Sequence, residues 1–474
     1  MEKTIAARVR AQVRTRPDDV ALVWRDEEVT YGHLGRHAAE LASRLPGRGP
    51  VAVPATKTPA TVALLLALLE TGTPFLLLSP DLPAGTTAAL TARAGCVAVL
   101  TPDAVEPLDQ DGTAPPLPPA TAMLLTTSGS TGLPKIVPLP ADGIDRFVVW
   151  AAGRFGIGPG RTVLNYAPLN FDLCLLDVWA TLSAGGRVVL VAPDRATQAA
   201  HLLGLLRRHR VHVVQAVPMF YQLLSGHPDP LTDVEHVIAT GDVLPEWCLA
   251  ALPGLFPNAR LYNLYGCTET NDSFLHELDP AAPAPVPLGA PIDGVHAVLV
   301  ADGAVLAGPG VGELYVSTPF QAPGYLDETA TAAAFGGHPT GMDHRRYFRS
   351  GDLVRRDHDG TLTLEGRTDF QVKVRGVRVN PMEVEQALLA HPAVTAAVVF
   401  ALRDPVGGAA LHAVVSHDGS GRLNTLAVRR HCAELLPRAA IPSVIHLADT
   451  QLPRTSTGKP DRARITSTYL ERTR

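Results

Sequence analysis

The feature that most constrains the fold is an alternation of short apolar segments with helical patterns in the first part of the chain. Val20–Trp24 and Phe75–Leu78 are predicted strands, and Pro59–Glu70 is a predicted buried helix between them. Strands that alternate with helices favour a parallel sheet of the α/β class. Residues 101–121 are rich in Pro and Asp, which predicts a surface loop.

A second α/β unit is predicted after this loop, and it repeats the style of the first without a sequence repeat. Leu173–Leu182 is predicted to be helical, and Thr197 is predicted to cap a helix that runs to His209. Short apolar runs with Gly and Pro turns between residues 286 and 320 predict a small β subdomain. The strands predicted in the second unit are Val163–Pro168, Val188–Val191, Val211–Val217 and Val237–Ala239.

The last hundred residues change character and predict a small α+β domain. Thr361–Leu364 is a predicted strand that Gly366–Asp369 interrupts, and Asn380 is a predicted helix N-cap followed by Pro381. We therefore expect an α/β protein with a large N-terminal domain, residues 1–368, made of two α/β-sheet subdomains and a small β subdomain. Residues 369–474 are expected to form a small, mobile α+β domain.

Composition limits the partners. The net charge is −5 and the pI is about 6.4, which does not favour binding to nucleic acid or to an anionic membrane. The five cysteines are scattered without a CxxC pair, so we expect reduced thiols and a cytoplasmic protein. No apolar signal segment is present at the N-terminus, and the longest apolar run, Val62–Leu69, is far shorter than the roughly 20 residues that span a bilayer.

One loop predicts phosphate binding. Residues 126–132, Thr-Thr-Ser-Gly-Ser-Thr-Gly, combine hydroxyl groups with glycines that let backbone N–H groups approach a phosphate, and Lys135 adds a mobile cation. A Ser/Gly linker is the simpler interpretation of this composition, but the apolar segments on both sides argue against it. The P-loop pattern of NTPases fails, because Pro134 stands where its second glycine should be.

The ten residues from Thr126 to Lys135 closely resemble the phosphate loop of the adenylate-forming superfamily, which includes acyl-CoA synthetases, luciferases and the adenylation domains of nonribosomal peptide synthetases. Members join a carboxylic acid to AMP from ATP with Mg²⁺. The resemblance implies that the triphosphate is bound by Thr127, Ser128, Gly129, Ser130, Thr131, Gly132 and Lys135.

Residues 262–270, Tyr-Asn-Leu-Tyr-Gly-Cys-Thr-Glu-Thr, offer an aromatic face, an amide, a hydroxyl and a carboxylate. An ordinary turn after a strand is the alternative interpretation. The segment resembles the superfamily's second nucleotide motif, although Cys267 replaces the usual proline. The resemblance implies that Thr268 contacts phosphate and Glu269 binds Mg²⁺. It also implies adenine contacts from Asn263, Leu264, Tyr265, Gly266 and Cys267, with Gly241 and Asp242 as the preceding adenine-edge turn.

Three further stretches resemble superfamily motifs. Asp352, in Tyr-Phe-Arg-Ser-Gly-Asp, corresponds to the aspartate that binds the ribose hydroxyls, a task suited to an acceptor-only carboxylate. Arg367 would contact the ribose, and Asp369 would be the hinge between the domains. Taken alone, Asp352 and Asp369 are more typical of solvated turns. Lys459, in Thr-Ser-Thr-Gly-Lys, resembles the catalytic lysine.

The implied catalytic residues are Lys459, Thr268 and Glu269. A cation at position 459 would neutralise charge that grows on the α-phosphate and would hold the two reactants together. An ionised carboxylate needs no general base, which agrees with the absence of a Ser-His-Asp signature. Only five of the 41 basic residues are lysines, Lys3, Lys57, Lys135, Lys373 and Lys459, and three of these lie in motif-like stretches.

Asn170-Phe171-Asp172 resembles the site at which amino-acid-activating members pair an aspartate with the substrate α-ammonium, although Asp172 could instead cap a helix. The context is most similar to free-standing D-alanine and L-proline carrier-protein ligases. Asp272 departs from that group, and whether it faces the pocket stays open. If it faces the pocket, it favours a hydroxyl or a second amine on the substrate; if it faces outward, the pocket is small and apolar. The implied pocket residues are Asp172, Leu173, Leu176, Gln215, Ile238, Thr240, Leu264, Asp272, Ser273 and Lys459.

The expected function is ATP-dependent activation of an amino acid as aminoacyl-AMP, followed by transfer to a thiol. The sequence contains no Gly-Gly-x-Ser carrier signature, so a separate phosphopantetheinyl carrier protein is the expected partner. Two alternatives remain open: an acyl-CoA ligase for a non-amino acid, and a nucleotide-binding homologue without activity.

Overall fold

The computed structural model describes residues 4–25, 27–47, 49–109, 114–127, 133–227, 229–281, 285–368, 372–404, 408–417, 423–448, 452–453 and 460–473. Contacts divide the chain into two compact units. The first contains residues 1–80, 91–126 and 135–368, and the second contains residues 81–90, 127–134 and 369–474.

The α-helices in chain order are α1 (Ile5–Thr15), α2 (Tyr31–Ala42), α3 (Pro59–Thr71), α4 (Ala84–Arg93), α5 (Ala141–Arg154), α6 (Thr181–Ala184), α7 (Ala199–Arg208), α8 (Pro218–Ser225), α9 (Glu246–Leu255), α10 (Glu328–Ala334), α11 (Pro381–Leu389), α12 (Thr425–Leu435) and α13 (Arg462–Thr473). A π-helical segment, Leu175–Ala180, precedes α6.

The strands in chain order are β1 (Val20–Trp24), β2 (Glu27–Thr30), β3 (Val51–Pro54), β4 (Phe75–Leu78), β5 (Ala98–Leu100), β6 (Val105–Pro107), β7 (Thr121–Thr127), β8 (Lys135–Pro140), β9 (Thr162–Asn165), β10 (Arg187–Leu190), β11 (Val213–Ala216), β12 (His236–Thr240), β13 (Arg260–Cys267), β14 (Asn271–Glu277), β15 (Ala290–Pro291), β16 (His296–Ala301), β17 (Ala304–Val305), β18 (Gly310–Ser317), β19 (Phe335–Gly336), β20 (Tyr347–Arg356), β21 (Leu362–Arg367), β22 (Val372–Val374), β23 (Val377–Val379), β24 (Val394–Asp404), β25 (Gly408–His417) and β26 (Val444–Ala448).

Two of the three implied catalytic residues, Thr268 and Glu269, lie in the turn between strands β13 and β14 of a nine-stranded sheet. Its order is β15-β14-β13-β12-β11-β9-β10-β1-β2, and the strands from β13 to β1 are parallel. The edge strands β14, β15 and β2 are antiparallel to their neighbours. The carboxyl ends of parallel strands lie at one edge of a sheet, where open α/β sheets usually bind ligands.

The six-stranded sheet β6-β5-β3-β4-β7-β8 forms the other α/β subdomain, with β5, β3, β4 and β7 parallel. Helix α3 shows why the sequence is so apolar here. Its residues Thr61–Leu68 are all buried, so it is a core helix without a polar face. Thr58 caps its first turn, and Gly72 ends it in the left-handed conformation, at φ +67°.

The β subdomain is an antiparallel sheet, β17-β16-β18-β20-β19 with β21 paired to β20. The part of the chain after 371 contains a hairpin, β22-β23, and a three-stranded sheet, β24-β25-β26, with α11, α12 and α13. Arg462 of α13 donates to the carboxylate of Glu385 at 2.8 Å and to the carbonyl of Val399 at 2.7 Å, which ties α13 to α11 and β24. The predicted α/β class, with its β subdomain and α+β C-terminal part, is confirmed.

Four local predictions differ from the structure in a cap, in the bounds of a strand, in the content of a loop or in the type of helix. Thr197 does not cap α7, which begins at Ala199 after Gln198. The predicted break after Leu364 is absent, because β21 continues to Arg367. The predicted surface loop 101–121 contains the short strand β6. The predicted helix 173–182 is a π-helical segment followed by α6. Asn380 caps α11 as predicted, through a hydrogen bond from Met382 N.

Candidate active site

The predicted second nucleotide motif forms a strand, a tight turn and a returning strand, β13 and β14. The register shifts between Tyr265 and Gly266, so a bulge lies in the middle of the motif. A Cβ atom at position 266 would lie only 2.6 Å from the carbonyl oxygen of Asn271 and 2.8 Å from Oδ1 of Asp272. Position 266 therefore requires a glycine, because any side chain there would clash with Asn271 and Asp272 on the paired strand. Asn271 has φ +58°, a conformation that Asn tolerates better than most residues.

The turn between these strands presents a nearly buried carboxylate. Glu269 is 1% exposed, and its Oε1 accepts a hydrogen bond from the hydroxyl of Tyr325 at 2.7 Å. Lys135, the cation that follows the phosphate loop, lies over the ring of the same tyrosine, with Nζ 4.7 Å from the ring centroid. Tyr325 thus joins the predicted metal ligand to the predicted phosphate cation. Thr268, the residue before Glu269, is partly exposed in the same turn.

A second carboxylate is saturated with donors from the chain. The hydroxyl of Tyr265 donates to Oδ2 of Asp352, and Arg367 donates to its Oδ1. Arg367 also donates to the carbonyl of Ser350 at 2.9 Å, and the hydroxyl of Ser350 accepts from the backbone N–H of Asp352 at 3.0 Å. Burial raises the pKa of Tyr265 well above its usual value, so this phenol stays protonated and remains a donor. Three residues assigned to separate motifs are thus brought together.

The predicted adenine-edge turn follows β12. Gly241 has φ +80°, which turns the chain immediately after the strand, and Oδ1 of Asp242 accepts from Val243 N at 2.8 Å. The hydroxyl of Thr240 donates to the carbonyl of Leu264 at 2.7 Å, which links the ends of β12 and β13. Asn263 donates to the carbonyl of Pro287 at 2.8 Å.

Four predicted substrate residues lie in or beside the π-helical segment: Asp172, Leu173, Leu176 and Gln215. This segment begins at Leu175 with Cys174 at its N-cap, so Asp172 does not occupy the capping position that was its alternative role. Gln215 of β11 donates to the carbonyl of Leu173 at 3.3 Å, which brings the β11 side chain to the residue after Asp172. Leu176, Ile238 and Leu264 are buried apolar residues, and Ser273 is fully buried with its hydroxyl donating to the carbonyl of Asn271.

Asp272 lies close enough to Asp172 for the two charges to interact. Burial raises the pKa of Asp272 to about 8, and the negative charge of Asp172 adds to the shift. The charge of Asp272 in turn raises the pKa of the fully buried Asp177, for which burial is again the main cause. The three acids therefore interact through their charges, and whether Asp272 faces the substrate pocket stays a prediction.

Beneath Asp172 lies a polar network that sequence reasoning missed. Lys57 is 4% exposed and donates to the carbonyls of Asn165 and Tyr166 at 3.3 and 2.9 Å. The side chain of Asn165 donates to Oδ2 of Asp177 at 3.2 Å. Burial lowers the pKa of Lys57 to about 8, and the thiol of Cys174 and the carboxylate of Asp177 oppose the shift. This network anchors both ends of the segment that carries Asp172.

The signals for these missed residues were weak. Lys57 was one of only five lysines, but it lies outside every motif, and Tyr325 is an ordinary aromatic residue in a Gly- and Pro-rich stretch. Other predicted residues fall outside the described part of the chain: Ser128, Gly129, Ser130, Thr131, Gly132, Asp369 and Lys459. Their roles stay predictions. Thr127, the residue before this gap, is the last residue of β7.

The described residues contain no group of three or more His, Cys, Asp or Glu side chains that could hold a metal ion by themselves. All five cysteines are free thiols. Among the helices in the described part of the chain, none has the length and apolar character needed to cross a membrane.

Comparison with known proteins agrees with this geometry. The model of the AMP-binding enzyme family matches residues 9–115 and 102–326, and that of the AMP-binding enzyme C-terminal domain matches residues 383–459. The chain therefore belongs to the AMP-binding enzyme family, and the predicted membership of the adenylate-forming superfamily is confirmed.

Two relatives are named L-proline--[L-prolyl-carrier protein] ligase. The protein from Streptomyces coelicolor is 36% identical over 73% of this chain and 65% of its own length. That from Pseudomonas fluorescens is 34% identical over 72% of this chain and 67% of its own length. The matched region thus spans about two thirds of each ligase. Among solved structures, the amide bond synthetase McbA from Marinactinospora thermotolerans has a TM-score of 0.84 at 25% identity, covering 98% of this chain and 99% of that one.

Proposed function

We propose that this protein activates an amino acid with ATP and loads it onto a carrier protein. A carboxylate oxygen of the amino acid attacks the α-phosphorus, the bond to pyrophosphate breaks, and aminoacyl-AMP forms. In the second step the phosphopantetheine thiolate of a separate carrier protein attacks the acyl carbon, and AMP leaves. The enzyme is thus an AMP-forming amino-acid ligase. The names of the two relatives, which act on L-proline and a carrier protein, support this assignment.

The observation that carries the proposal is the interaction of Asp172 with the nucleotide motif. Asp172 interacts electrostatically with Asp272, and Asp272 lies opposite Gly266 in the strand pair β13-β14. By the family resemblance, Asp172 would bind the α-ammonium of an amino acid, which would direct the substrate carboxylate towards the nucleotide strand. A plain carboxylic acid has no ammonium group to place at this position.

The remaining roles follow the motifs. Asp352 and Arg367 would hold the ribose, Asn263 with the turn at Gly241 and Asp242 the adenine edge, and Tyr265 the ring face. Thr268 and Lys135 would contact phosphate together with the loop from Thr127 to Gly132. Lys459 would bridge the substrate carboxylate and the α-phosphate. A boundary at Asp369 would let residues 369–474 turn as a domain against residues 1–368 between the two steps.

The carboxylate of Glu269 is a suitable ligand for a Mg²⁺ ion. Mg²⁺ is commonly held by one or two carboxylates together with substrate phosphates and water. Glu269 offers one carboxylate, 1% exposed, on the turn beside Thr268. When bound, Mg²⁺ would neutralise charge on the triphosphate. The chain's own contribution is orientation: Tyr325 donates to Oε1 of Glu269 and fixes the position of that oxygen.

We infer a cytoplasmic protein, because its five free thiols suit a reducing compartment. No described helix could cross a membrane. Expression with a periplasmic leader would test this inference: loss of activity through thiol oxidation, restored by reductant, is the expected result.

The decisive experiment is ATP–pyrophosphate exchange across the twenty common amino acids and a set of plain carboxylic acids. Exchange that depends on an amino acid, lost in Asp172→Ala and in Lys459→Ala, supports the proposal. Glu277→Gln is the control, because Glu277 is an exposed carboxylate on the same strand as Asp272. Exchange that survives Asp172→Ala with plain acids would point to an acyl-CoA ligase. Turnover unchanged by Lys459→Ala, or no exchange with any acid, would overturn the proposed mechanism.

A further inference from the structure

Lys57 joins the two α/β sheets at the carboxyl ends of their parallel strands. It lies three residues after Pro54, the last residue of β3 in the six-stranded sheet. Its ammonium donates to the carbonyls of Asn165, the last residue of β9 in the nine-stranded sheet, and of Tyr166, at 3.3 and 2.9 Å. Because Lys57 is only 4% exposed, these hydrogen bonds form away from water. The lysine therefore holds the point at which the chain leaves β9.

The loop that starts at this point, residues 166–174, carries Asp172. Much of it is buried, since Ala167, Leu169 and Cys174 are between 3% and 6% exposed. Buried backbone carbonyls need hydrogen-bond donors, and a loop outside a helix or strand has to obtain many of them from side chains. The side chains that donate to these carbonyls therefore determine the path of the loop.

Asn165 and Cys174 supply donors at the two ends of the loop. Nδ2 of Asn165 donates to the carbonyl of Ala167 at 3.2 Å and lies 3.4 Å from the sulfur of Cys174. The thiol of Cys174 donates to the carbonyl of Pro168 at 3.1 Å. The start and the end of the loop are thus joined, and Lys57 reaches this junction from the other sheet.

Asp172 is linked to the same junction through the backbone. Cys174 N donates to the carbonyl of Phe171 at 3.1 Å, and Leu175 N donates to that of Asp172 at 2.8 Å. A shift of the chain at Tyr166 would therefore be passed along the loop to Asp172. A displacement of about 1 Å can cost about a hundredfold in rate, so the donors at the start of the loop matter to the group that Asp172 binds.

We propose that Lys57 is a positioning residue for the amino acid: its two hydrogen bonds hold the start of the loop so that Asp172 can bind the α-ammonium. The inference rests on the proposed function, because that function assigns the α-ammonium to Asp172. Lys57 acts through the backbone of the loop and not through contact with the substrate. Its loss should therefore weaken the binding of the amino acid and leave the binding of ATP almost unchanged.

The test is ATP–pyrophosphate exchange with the amino acid that supports the fastest exchange in the wild type. Met has a side chain of similar length to Lys but no donor. In Lys57→Met we expect KM for the amino acid to rise by about tenfold to a hundredfold, while KM for ATP changes by less than about twofold. Lys57→Arg keeps a cationic donor and should recover part of the loss.

A control separates positioning from a general loss of stability. Leu299→Ala removes a side chain that is 1% exposed in strand β16 of the β subdomain, so it should destabilise the protein through a cavity far along the chain from the loop. Both KM values of this variant should stay at the wild-type level. A rise in KM for the amino acid as large as that in Lys57→Met would show that Lys57 acts only through stability, and the inference would be overturned.

A second background keeps the test valid if Lys57→Met does not fold. Asp177 accepts a hydrogen bond from Asn165 at 3.2 Å, and its charge interacts with that of Lys57. Within Asp177→Leu, the further change Lys57→Met removes a buried charge that has lost its partner, so we expect little loss of stability. KM for the amino acid should nevertheless rise in this step, because the donors to Asn165 and Tyr166 are lost. An unchanged KM in this step would overturn the inference.

The outcomes distinguish this inference from the proposed function. If the wild type exchanges with an amino acid but Lys57→Met raises both KM values equally, or neither, the inference is overturned while amino-acid activation stands. If no amino acid supports exchange in the wild type, the proposed function itself fails. ATP-dependent thermal stabilisation of each variant confirms that the nucleotide site is folded.

Discussion

Asp352 is hydrogen-bonded to Tyr265 of strand β13, and Asp272 lies on β14, the strand paired with β13. The two carboxylates differ in the hydrogen bonds that they receive. Asp352 receives hydrogen bonds from Tyr265 and Arg367. Asp272 receives none from the described residues, and the charges that interact with it belong to two other acids, Asp172 and Asp177. A saturated carboxylate has a fixed orientation and a fixed charge partner. Asp272 has no such donor among the described residues, and it is partly exposed.

Under the proposed function, this difference separates two tasks. A nucleotide is the same in every cycle, so a rigid cluster with donors on both carboxylate oxygens suits it. The acid to be activated differs from one family member to another, so a carboxylate without donors of its own suits the part of the site that receives the acid.

The largest effect is expected when Arg367, the cation that pairs with Asp352, is replaced. Arg367→Ala leaves Asp352 buried without its charge partner, and we expect a loss of about 3–5 kcal/mol in the free energy of unfolding. Urea denaturation followed by fluorescence measures this loss. The matched control is Arg355→Ala, because Arg355 pairs with Glu365 at the surface, where such a pair contributes little to stability. Similar losses in both variants would contradict the picture of a buried, saturated cluster.

The second-largest loss of stability is expected in the polar network of Lys57, Asn165 and Asp177. Lys57→Met removes the ammonium that satisfies two carbonyls and faces Asp177, and we expect a loss of about 3 kcal/mol. The double variant Lys57→Met/Asp177→Leu removes both charges, so its loss should be smaller than the sum of the two single losses. Strict additivity in this cycle would show that Lys57 and Asp177 do not interact.

Replacing Asp272 should have the smallest effect on the free energy of unfolding, and it should stabilise the protein where the other variants destabilise it. With a folded-state pKa of about 8, above an unfolded value of about 4, this group keeps its proton in the folded state where the unfolded chain has lost it. Stability contributed by Asp272 is therefore present at low pH and lost as the pH rises towards 8. The limit is about 1.4 kcal/mol per pH unit, and we expect about 2 kcal/mol in all, since Asp272 is only partly buried and is coupled to two other acids.

The measurement is the difference in free energy of unfolding between Asp272→Asn and the wild type from about pH 5 to pH 8. The variant should become the more stable protein as the pH rises. A constant difference across this range would show that Asp272 titrates normally, and the contrast with Asp352 would fail.

Sequence reasoning succeeded where a residue's task is local. Asn380 caps a helix as predicted, through a hydrogen bond from Met382 N, and this needs only its neighbours in the chain. Lys57 could not be predicted in the same way, because its burial depends on the carbonyls of Asn165 and Tyr166, more than a hundred residues away. The predicted cap at Thr197 was wrong for a different reason. The chain first makes a 3-10 turn at Pro193–Arg195, and α7 begins at Ala199, two residues after Thr197.

The direction of Asp272 also could not be predicted from its residue type. It is set by the bulge at Gly266 and by the left-handed backbone of Asn271, both of which appear only once β13 and β14 pair. Tyr325 was missed because its two contacts, with Lys135 and Glu269, come from distant parts of the chain.

The π-helical turn Leu175–Ala180 has a consequence for comparing this protein with its relatives. A π-turn contains about one residue more than an α-turn, and each helical residue advances the direction of its side chain by roughly 100°. A relative with an ordinary α-helix here would need one residue fewer to keep the same side chains directed inward. Sequence alignments that omit this single-residue gap would compare pocket positions that point in different directions, and substrate assignments copied from them would concern the wrong side chains.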